Sequence, residues 1–379
     1  MEKYMKELGY DSKSFAIEGL RTIFGHVYYI WKVFKEELGA DKALETYGVV
    51  WGAIAQASFA QAVQDLGIKE VKDIATLGRI VHYCGLAIPA IYETVENTKD
   101  HHIGRVYWCA NPTYGPDDCI YSRHEYYRNA EIPLTIHYLK IVIAEAKKMG
   151  LKDDVEISVP VGRCRDGEAS FCQWHLWRKG SPKVEREIVP DSEKRFIEDE
   201  MGDEEPLLFV LRKQGKKLED FAAGMLVNVI FVDMKAWDGL EENVGKERGL
   251  DIYKKLWLTY PPMWGKEARL ELGIGKVANL EELARIIAYC EKKRFVPYMV
   301  TGGDGQVTLT GKMDPFAEVP TQFLGKKLGD SYFEAVALAD QKFINQVIKE
   351  AEMGDKVKVT YKKRLVKGDD RNEIVIEKK

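Results

Sequence analysis

The chain has 379 residues, of which 45% are hydrophobic, 11% aromatic and 31% charged, and 56 basic against 60 acidic side chains leave a net charge of −4. This apolar content can offset the entropy of ordering a core, which excludes a largely disordered chain, and 32 glycines and 13 prolines without a period exclude a collagen-like one. The near-neutral balance leaves no electrostatic footprint for nucleic acid or an anionic membrane, and no apolar run reaches the roughly 18 residues that a membrane span needs.

The first nine residues, Met1 to Gly9, are charged and lack the apolar stretch of a signal peptide, so a cytoplasmic location is expected. Six cysteines are too few for a disulfide scaffold and are expected to be reduced.

A shift of 206 residues superimposes 38–84 on 244–290 without a gap. The identical pairs include Gly39/Gly245, Leu44/Leu250, Tyr47/Tyr253, Trp51/Trp257, Ala62/Ala268, Gly67/Gly273, Arg79/Arg285, Tyr83/Tyr289 and Cys84/Cys290, and Trp31/Trp237 extends the match upstream. This register implies a tandem duplication: a first repeat over 1–188, an acidic linker over 189–206 that carries two prolines, and a second, degenerate repeat over 207–379. The copies are expected to pack as an internal pseudo-dimer, with a homo-oligomer left open.

In chain order, Phe24, Val27, Tyr28, Trp31 and Phe34 recur at helical spacing. Asp73 and Asn279 occupy matching positions before apolar helical runs, and both are good N-caps. Strand-like runs follow at Ile91–Val95 and Arg105–Cys109, then a helix over Leu134–Lys148, then strands over Val155–Val161 and Ser170–Trp177. The second copy repeats this order with Phe295–Thr301, Gln306–Thr310, Tyr332–Ala351, Val357–Tyr361 and Asn372–Glu377. Helices followed by antiparallel strands give an α+β fold, each copy a helical half followed by a small antiparallel sheet with one packed helix. Gly302-Gly303-Asp304-Gly305 lies between two strands and reads as a hairpin turn, not a phosphate cradle. Tyr260-Pro261-Pro262 should interrupt a helix in the second copy that runs on in the first, because proline removes a backbone donor.

The copies differ in reactive side chains. Cys109, Cys119, Cys164 and Cys172 all lie in the second half of the first copy, where the second copy has no cysteine, and all seven histidines precede residue 176. Chemistry that needs thiols or imidazoles is therefore expected in the first copy. The doublet His101-His102 reads as a solvated polar turn.

The order of a helical half, a strand ending in Val106-Tyr107-Trp108-Cys109, a helix, and then Cys164-Arg-Asp-Gly-Glu-Ala-Ser-Phe-Cys172-Gln-Trp174 resembles the L-2-amino-thiazoline-4-carboxylic acid hydrolase-like family. It is also similar to the related vinyl-reductase-type small-molecule-binding domains. The family's Gly-Asp-x-x-Cys-x-Phe/Trp strand stands here as Gly167-Glu168-Ala-Ser-Phe-Cys172-Gln-Trp174, one residue longer, and Ala110-Asn111-Pro112 replaces the proline that usually follows the first cysteine. The resemblance implies hydrolysis, or related lyase chemistry, at a non-peptide C–N or ring bond of a small cyclic metabolite.

A thiolate can attack an amidine-like carbon and form a covalent intermediate that water resolves. Cys109, at a strand end before a turn-rich loop, is the candidate nucleophile, and His124 on that loop is the candidate base. Cys172 joins them as a catalytic candidate, and Trp108, Tyr114, Trp174 and His175 are candidates to bind substrate. On a strand Cys172 and Trp174 share one face, and His175 takes the other.

Two readings stay open. No cofactor is required by the first. In the second, Cys164 and Cys172 match the spacing of two zinc ligands in some vinyl-reductase-type domains, although Val161 stands where those domains supply a Glu. That version is a non-catalytic small-molecule-binding or accessory protein with a structural zinc.

Overall fold

The computed structural model describes residues 2–86, 89–110, 114–115, 130, 132–161, 172–182 and 200–379, with the main chain alone at Cys109, Pro160 and Val161. The chain forms two compact units: residues 38–218 make one, and residues 1–37 with 219–379 make the other. Both are α+β.

The unit of residues 38–218 begins with helices α3 (Ala40–Asp65) and α4 (Ile74–Gly85), preceded in the chain by α1 (Glu2–Leu8) and α2 (Ser12–Leu38). Strands β1 (Ala90–Asn97) and β2 (His101–Cys109) follow, then helix α5 (Ile132–Lys148), strands β3 (Val155–Val161) and β4 (Cys172–Arg178), and helix α6 (Pro206–Lys213). The sheet order is β1-β2-β4-β3 and every neighbouring pair is antiparallel. Strands β2 and β3 therefore run parallel with β4 between them, and α5 supplies the crossover that such a pair needs. Phe59, Leu77, Ile80, Val142, Ile143 and Leu176 lie in a core built from α3, α4, α5 and the sheet.

The other unit repeats this plan. Helices α7 (Leu218–Val244), α8 (Lys246–Trp257), α9 (Pro261–Glu271) and α10 (Leu280–Lys293) precede β5 (Met299–Gly302) and β6 (Gln306–Gly311). Helices α11 (Pro315–Phe323) and α12 (Ser331–Glu350) lead to β7 (Val357–Lys363) and β8 (Asn372–Lys378). The sheet order, β5-β6-β8-β7, is the first sheet's order again.

Local geometry follows the duplication. Gly39 and Gly245 precede α3 and α8 with φ 78°, ψ 164° and φ 81°, ψ 160°, a conformation that a Cβ would oppose. Asp73 accepts the Thr76 N–H at 2.8 Å, and Asn279 accepts the Glu282 N–H at 2.9 Å, so two different side chains satisfy the same orphan donor. Helix α3 runs unbroken, whereas its counterpart divides at Tyr260-Pro261 into α8 and α9. The Gly302–Gly305 segment is the β5–β6 hairpin turn, with the Gly303 N–H donating to the Gln306 carbonyl at 2.9 Å.

Some boundaries differ from the sequence reading. Strand β2 starts at His101, four residues early, so the expected His101-His102 turn is already strand. The strand expected from Phe295 starts only at Met299, because Phe295 adopts φ 62° after α10 and no strand residue can hold that angle. Of the acidic segment, 189–199 lies outside the described residues, and Glu205 caps α6 by accepting the Leu208 N–H at 3.1 Å.

The 1–37/219–379 unit buries a charge network. Arg294 Nη1 donates to both oxygens of Glu291, at 2.9 and 3.1 Å, and to Asp340, which also accepts from Arg364. Asp314 accepts from Asn372 at 2.9 Å. Two guanidinium groups thus face three carboxyls, and electroneutrality is reached when one carboxyl keeps its proton. Burial pushes Asp340 upward, but Arg364 and Arg294 together outweigh it and hold it below the ordinary range. Burial dominates at Glu291 and pushes it up to about 8, with Asp340 adding to the rise.

A carboxyl raised from about 4.5 to about 8 contributes stability that is full below pH 4.5 and is lost as pH rises through 8. Urea unfolding should therefore show a decline over this window that Glu291→Gln flattens. Asp340→Asn strips two buried guanidinium groups of their anion and should cost about 3–5 kcal/mol.

Candidate functional site

One face of the first sheet gathers polar and aromatic side chains beneath α4. In the β2–β4 ladder Cys172 lies opposite Val106, Trp174 opposite Gly104 and Leu176 opposite His102. On β1, Tyr92 pairs with Val106 and Thr94 with Gly104. Directly paired residues share a face, so Cys172 and Trp174 stand beside Tyr92, as their alternation along the strand requires.

These groups form a chain of hydrogen bonds whose direction the donors determine. Trp174 Nε1–H donates to the Tyr92 oxygen at 3.0 Å. Tyr92 Oη and His102 Nε2 are 3.0 Å apart, and His102 Nδ1 lies 3.2 Å from Asn97 Oδ1. Asn97 Nδ2 donates to the Ala75 carbonyl at 3.0 Å, which leaves its Oδ1 as the acceptor. His102 is therefore protonated on Nδ1, and its Nε2 accepts the Tyr92 proton. Burial first, and then the neighbouring His82, lower the His102 pKa to about 4, so the ring is neutral near pH 7. Burial likewise raises Tyr92 above the usual phenol range, which keeps its proton in place.

Space for this chain comes from missing side chains. A Cβ on Gly104 would fall 1.9 Å from the Tyr92 oxygen, and one on Gly78 of α4 would fall 2.3 Å from Asn97 Oδ1 and 2.5 Å from His102 Nδ1. His82, also on α4, meets the Tyr92 ring edge-on at 4.5 Å and pairs with Thr94 Oγ1 at 2.8 Å. Cys172 is half-buried and packs with Trp174 against Ala90, Tyr92 and Val106.

The opposite face carries a second buried set. Arg105 Nε donates to Gln173 Oε1 at 2.6 Å, and Gln173 Nε2 donates to His175 Nε2 at 2.6 Å. His175 thus lies across the sheet from Cys172, as its spacing implies.

The remaining candidates are placed as follows. Cys109 ends β2 with its main chain paired to Ala90. Trp108 is buried opposite Ile91. Tyr114 donates to Glu205 and accepts the Leu207 N–H at 3.1 Å, so its hydroxyl is occupied at the start of α6. His124, Cys119 and Cys164 lie outside the described residues. Among the described residues no group of three or more His, Cys, Asp or Glu side chains is placed to hold a metal ion. Cys84 is buried, its thiol pushed up to about 11 by burial, and its repeat partner Cys290 is buried and raised in the same way. These two are inert core thiols of the shared fold.

Sequence reasoning missed Tyr92, His82 and His102. A signal was available in the duplication. Gly78, His82 and Gly85 of the first copy face Ala284, Ala288 and Glu291 at the 206-residue offset. Their spacing of four and three residues puts them on one face of α4, where glycines stand for Ala284 and Glu291 and an imidazole stands for Ala288.

No family model matches this chain, and no curated protein matches it. Among solved structures, a trafficking protein particle complex subunit 3 from Naegleria fowleri, covalently bound to palmitic acid, aligns at 18% identity. The alignment covers 41% of this chain and 95% of that one, with a TM-score of 0.30. A superposition this loose assigns neither fold nor function here.

Nuclear magnetic resonance of the ring nitrogens should find His102 neutral, as its Nδ1–H tautomer, down to about pH 4. The stability it contributes is present above about pH 6.5 and is lost as pH falls through 4. Tyr92→Phe leaves His102 Nε2 and Trp174 Nε1 without their partner and should cost about 1–3 kcal/mol in thermal or urea unfolding.

Proposed function

We propose that the chain is a cysteine-dependent hydrolase, or a related lyase, that acts on a small cyclic metabolite through its first repeat in the cytoplasm. The observation that carries this reading is the asymmetry between the copies. The first sheet sets Cys172 and Trp174 beside the Tyr92–His102 pair. At the matching helix positions of the second copy, Ala284, Ala288 and Glu291 take the place of the glycines and imidazole. Side chains that demand so much accommodation bring no stability an aliphatic core lacks, which favours a role in binding or chemistry.

In this reading Cys109 supplies the thiolate and His124 takes its proton. The thiolate adds to the amidine-like carbon, the ring C–N bond breaks as its nitrogen takes up the proton, and water then releases the carbon and restores the thiol. Cys172 and Trp174 line the pocket, with Trp108 and Tyr114 as further binding candidates, while His175, buried on the opposite face of the sheet, stands apart from them. Tyr92, its proton held toward His102, holds the Trp174 indole in orientation. A low-dielectric wall of this kind strengthens each polar contact made to a bound ring.

The test is turnover of L-2-amino-thiazoline-4-carboxylate and its ring analogues, followed by mass spectrometry. Cys109→Ser should lower kcat by about a thousandfold or more, as loss of a nucleophile does. Unchanged turnover in that variant rejects the covalent step. Saturable binding of the ring with no product replaces the hydrolase with the binding-protein reading, and about one zinc per chain by elemental analysis would add the structural metal to it.

A further inference from the structure

Helix α10 carries a partly exposed face besides the one it buries. Arg285, Ala288, Tyr289 and Lys292 stand at i, i+3, i+4 and i+7, so they share that face. All four line an open groove of about 250 Å³ in the unit of the second sheet, bordered by the end of α1 and by the segment that leads into β5. Leu272 and Val300, with the Tyr289 and Tyr298 rings, supply apolar wall. A water molecule takes roughly 30 Å³ in the liquid, so the groove has room for about eight to ten non-hydrogen atoms.

The cations of this face lack carboxylates. Lys293, one residue on, pairs with Glu18 at 3.1 Å and with Glu267 at 2.8 Å. The Lys292 ammonium instead sits 4.3 Å from the centre of the Tyr10 ring, and among the described residues neither it nor Arg285 forms a hydrogen bond or ion pair. Burial first, and then Lys293, lower the Lys292 pKa, as expected of an ammonium drawn from water with no anion bonded to it. Arg285 is moreover the repeat partner of Arg79, and both are exposed. Every other identical pair over 38–84 and 244–290 is buried or half-buried in both copies, or is a glycine with positive φ. Core packing and backbone geometry account for those identities and leave the arginine to a contact outside the fold.

We propose that this groove binds a small organic monocarboxylate with an aromatic body. The carboxylate accepts from Arg285, whose paired N–H donors match both of its oxygens, and from the Lys292 ammonium. The ring lies against Tyr289, Tyr298 and the aliphatic wall, where aromatic pairs add to the gain from burial. Glu267 accepts the Tyr289 hydroxyl at 3.0 Å and so fixes the ring that the ligand meets. The charged groups lining the groove are Arg285, Lys292 and Glu7, two cations against one carboxylate, so a single negative charge completes the balance. At the 206-residue offset the first copy has Leu86 for Lys292 and His82 for Ala288. It lacks the second cation and the small residue, so one site per chain results.

Titration calorimetry of the full chain compares sodium phenylacetate with phenylacetamide, which lacks the charge, sodium acetate, which lacks the ring, and phenyl phosphate, which carries a second charge. Phenylacetate should saturate about one site per chain below about 10 mM, and the other three should bind at least about tenfold more weakly. Added sodium chloride should weaken phenylacetate binding. Arg285→Gln and Lys292→Gln should each weaken it at least about tenfold, with native circular dichroism and melting, because neither side chain holds the fold through a bond. Glu7→Gln should tighten it. No saturation by phenylacetate, equal binding of phenylacetamide, tighter binding of phenyl phosphate, or unchanged affinity in both glutamine variants of the cations overturns the proposal.

Discussion

The hydrogen bond between Tyr92 and His102 requires that the strand beneath it carry no Cβ at position 104. The chain of hydrogen bonds on the α4-facing sheet surface is built around that contact. Gly104 clears the floor and Gly78 clears the roof, at distances where a methyl group would collide with the hydrogen-bonding atoms themselves. Once the phenol and the imidazole are buried, their polar atoms must be matched inside the protein, because an unmatched one costs more than its bond returns. Trp174, Asn97 and the Ala75 carbonyl complete the match in one direction.

The second copy answers the same packing problem differently. Its helix α10 places Glu291 where α4 has Gly85, and the carboxyl is held by Arg294 within a network that continues to Asp340 and Arg364. The two copies share a sheet order, glycine junctions and N-caps, and diverge in what they bury between helix and sheet. Duplication thus conserved the elements that dictate backbone path and released the positions that dictate chemistry. The divergence supports a specialised first copy, and the second copy retains its own buried polar centre around Asp233.

The assignment of histidines illustrates the limit of reading a duplicated chain linearly. All seven lie before residue 176, which suggests that the second copy works without imidazole. In the folded protein His26 belongs to the unit of residues 1–37 and 219–379, where it meets Asp233 and Tyr260. Likewise His102 reads as half of a solvated doublet, yet it is fully buried, because β2 begins one residue before it and alternation turns it inward.

By itself the sequence determined the α+β class, the duplication, the caps at Asp73 and Asn279, the break at Tyr260-Pro261 and the shared face of Cys172 and Trp174. Each depends on residues close in the chain, or on a repeat offset that can be counted, so spacing and local propensity suffice. Only the tertiary structure decided that Tyr92, His102 and Trp174 form one chain, that Gly104 and Gly78 make room for it, and that His26 joins Asp233. Those contacts link residues up to 207 positions apart. Their signal in the sequence is a missing side chain or a lone polar residue, which acquires meaning only when the fold shows what it faces.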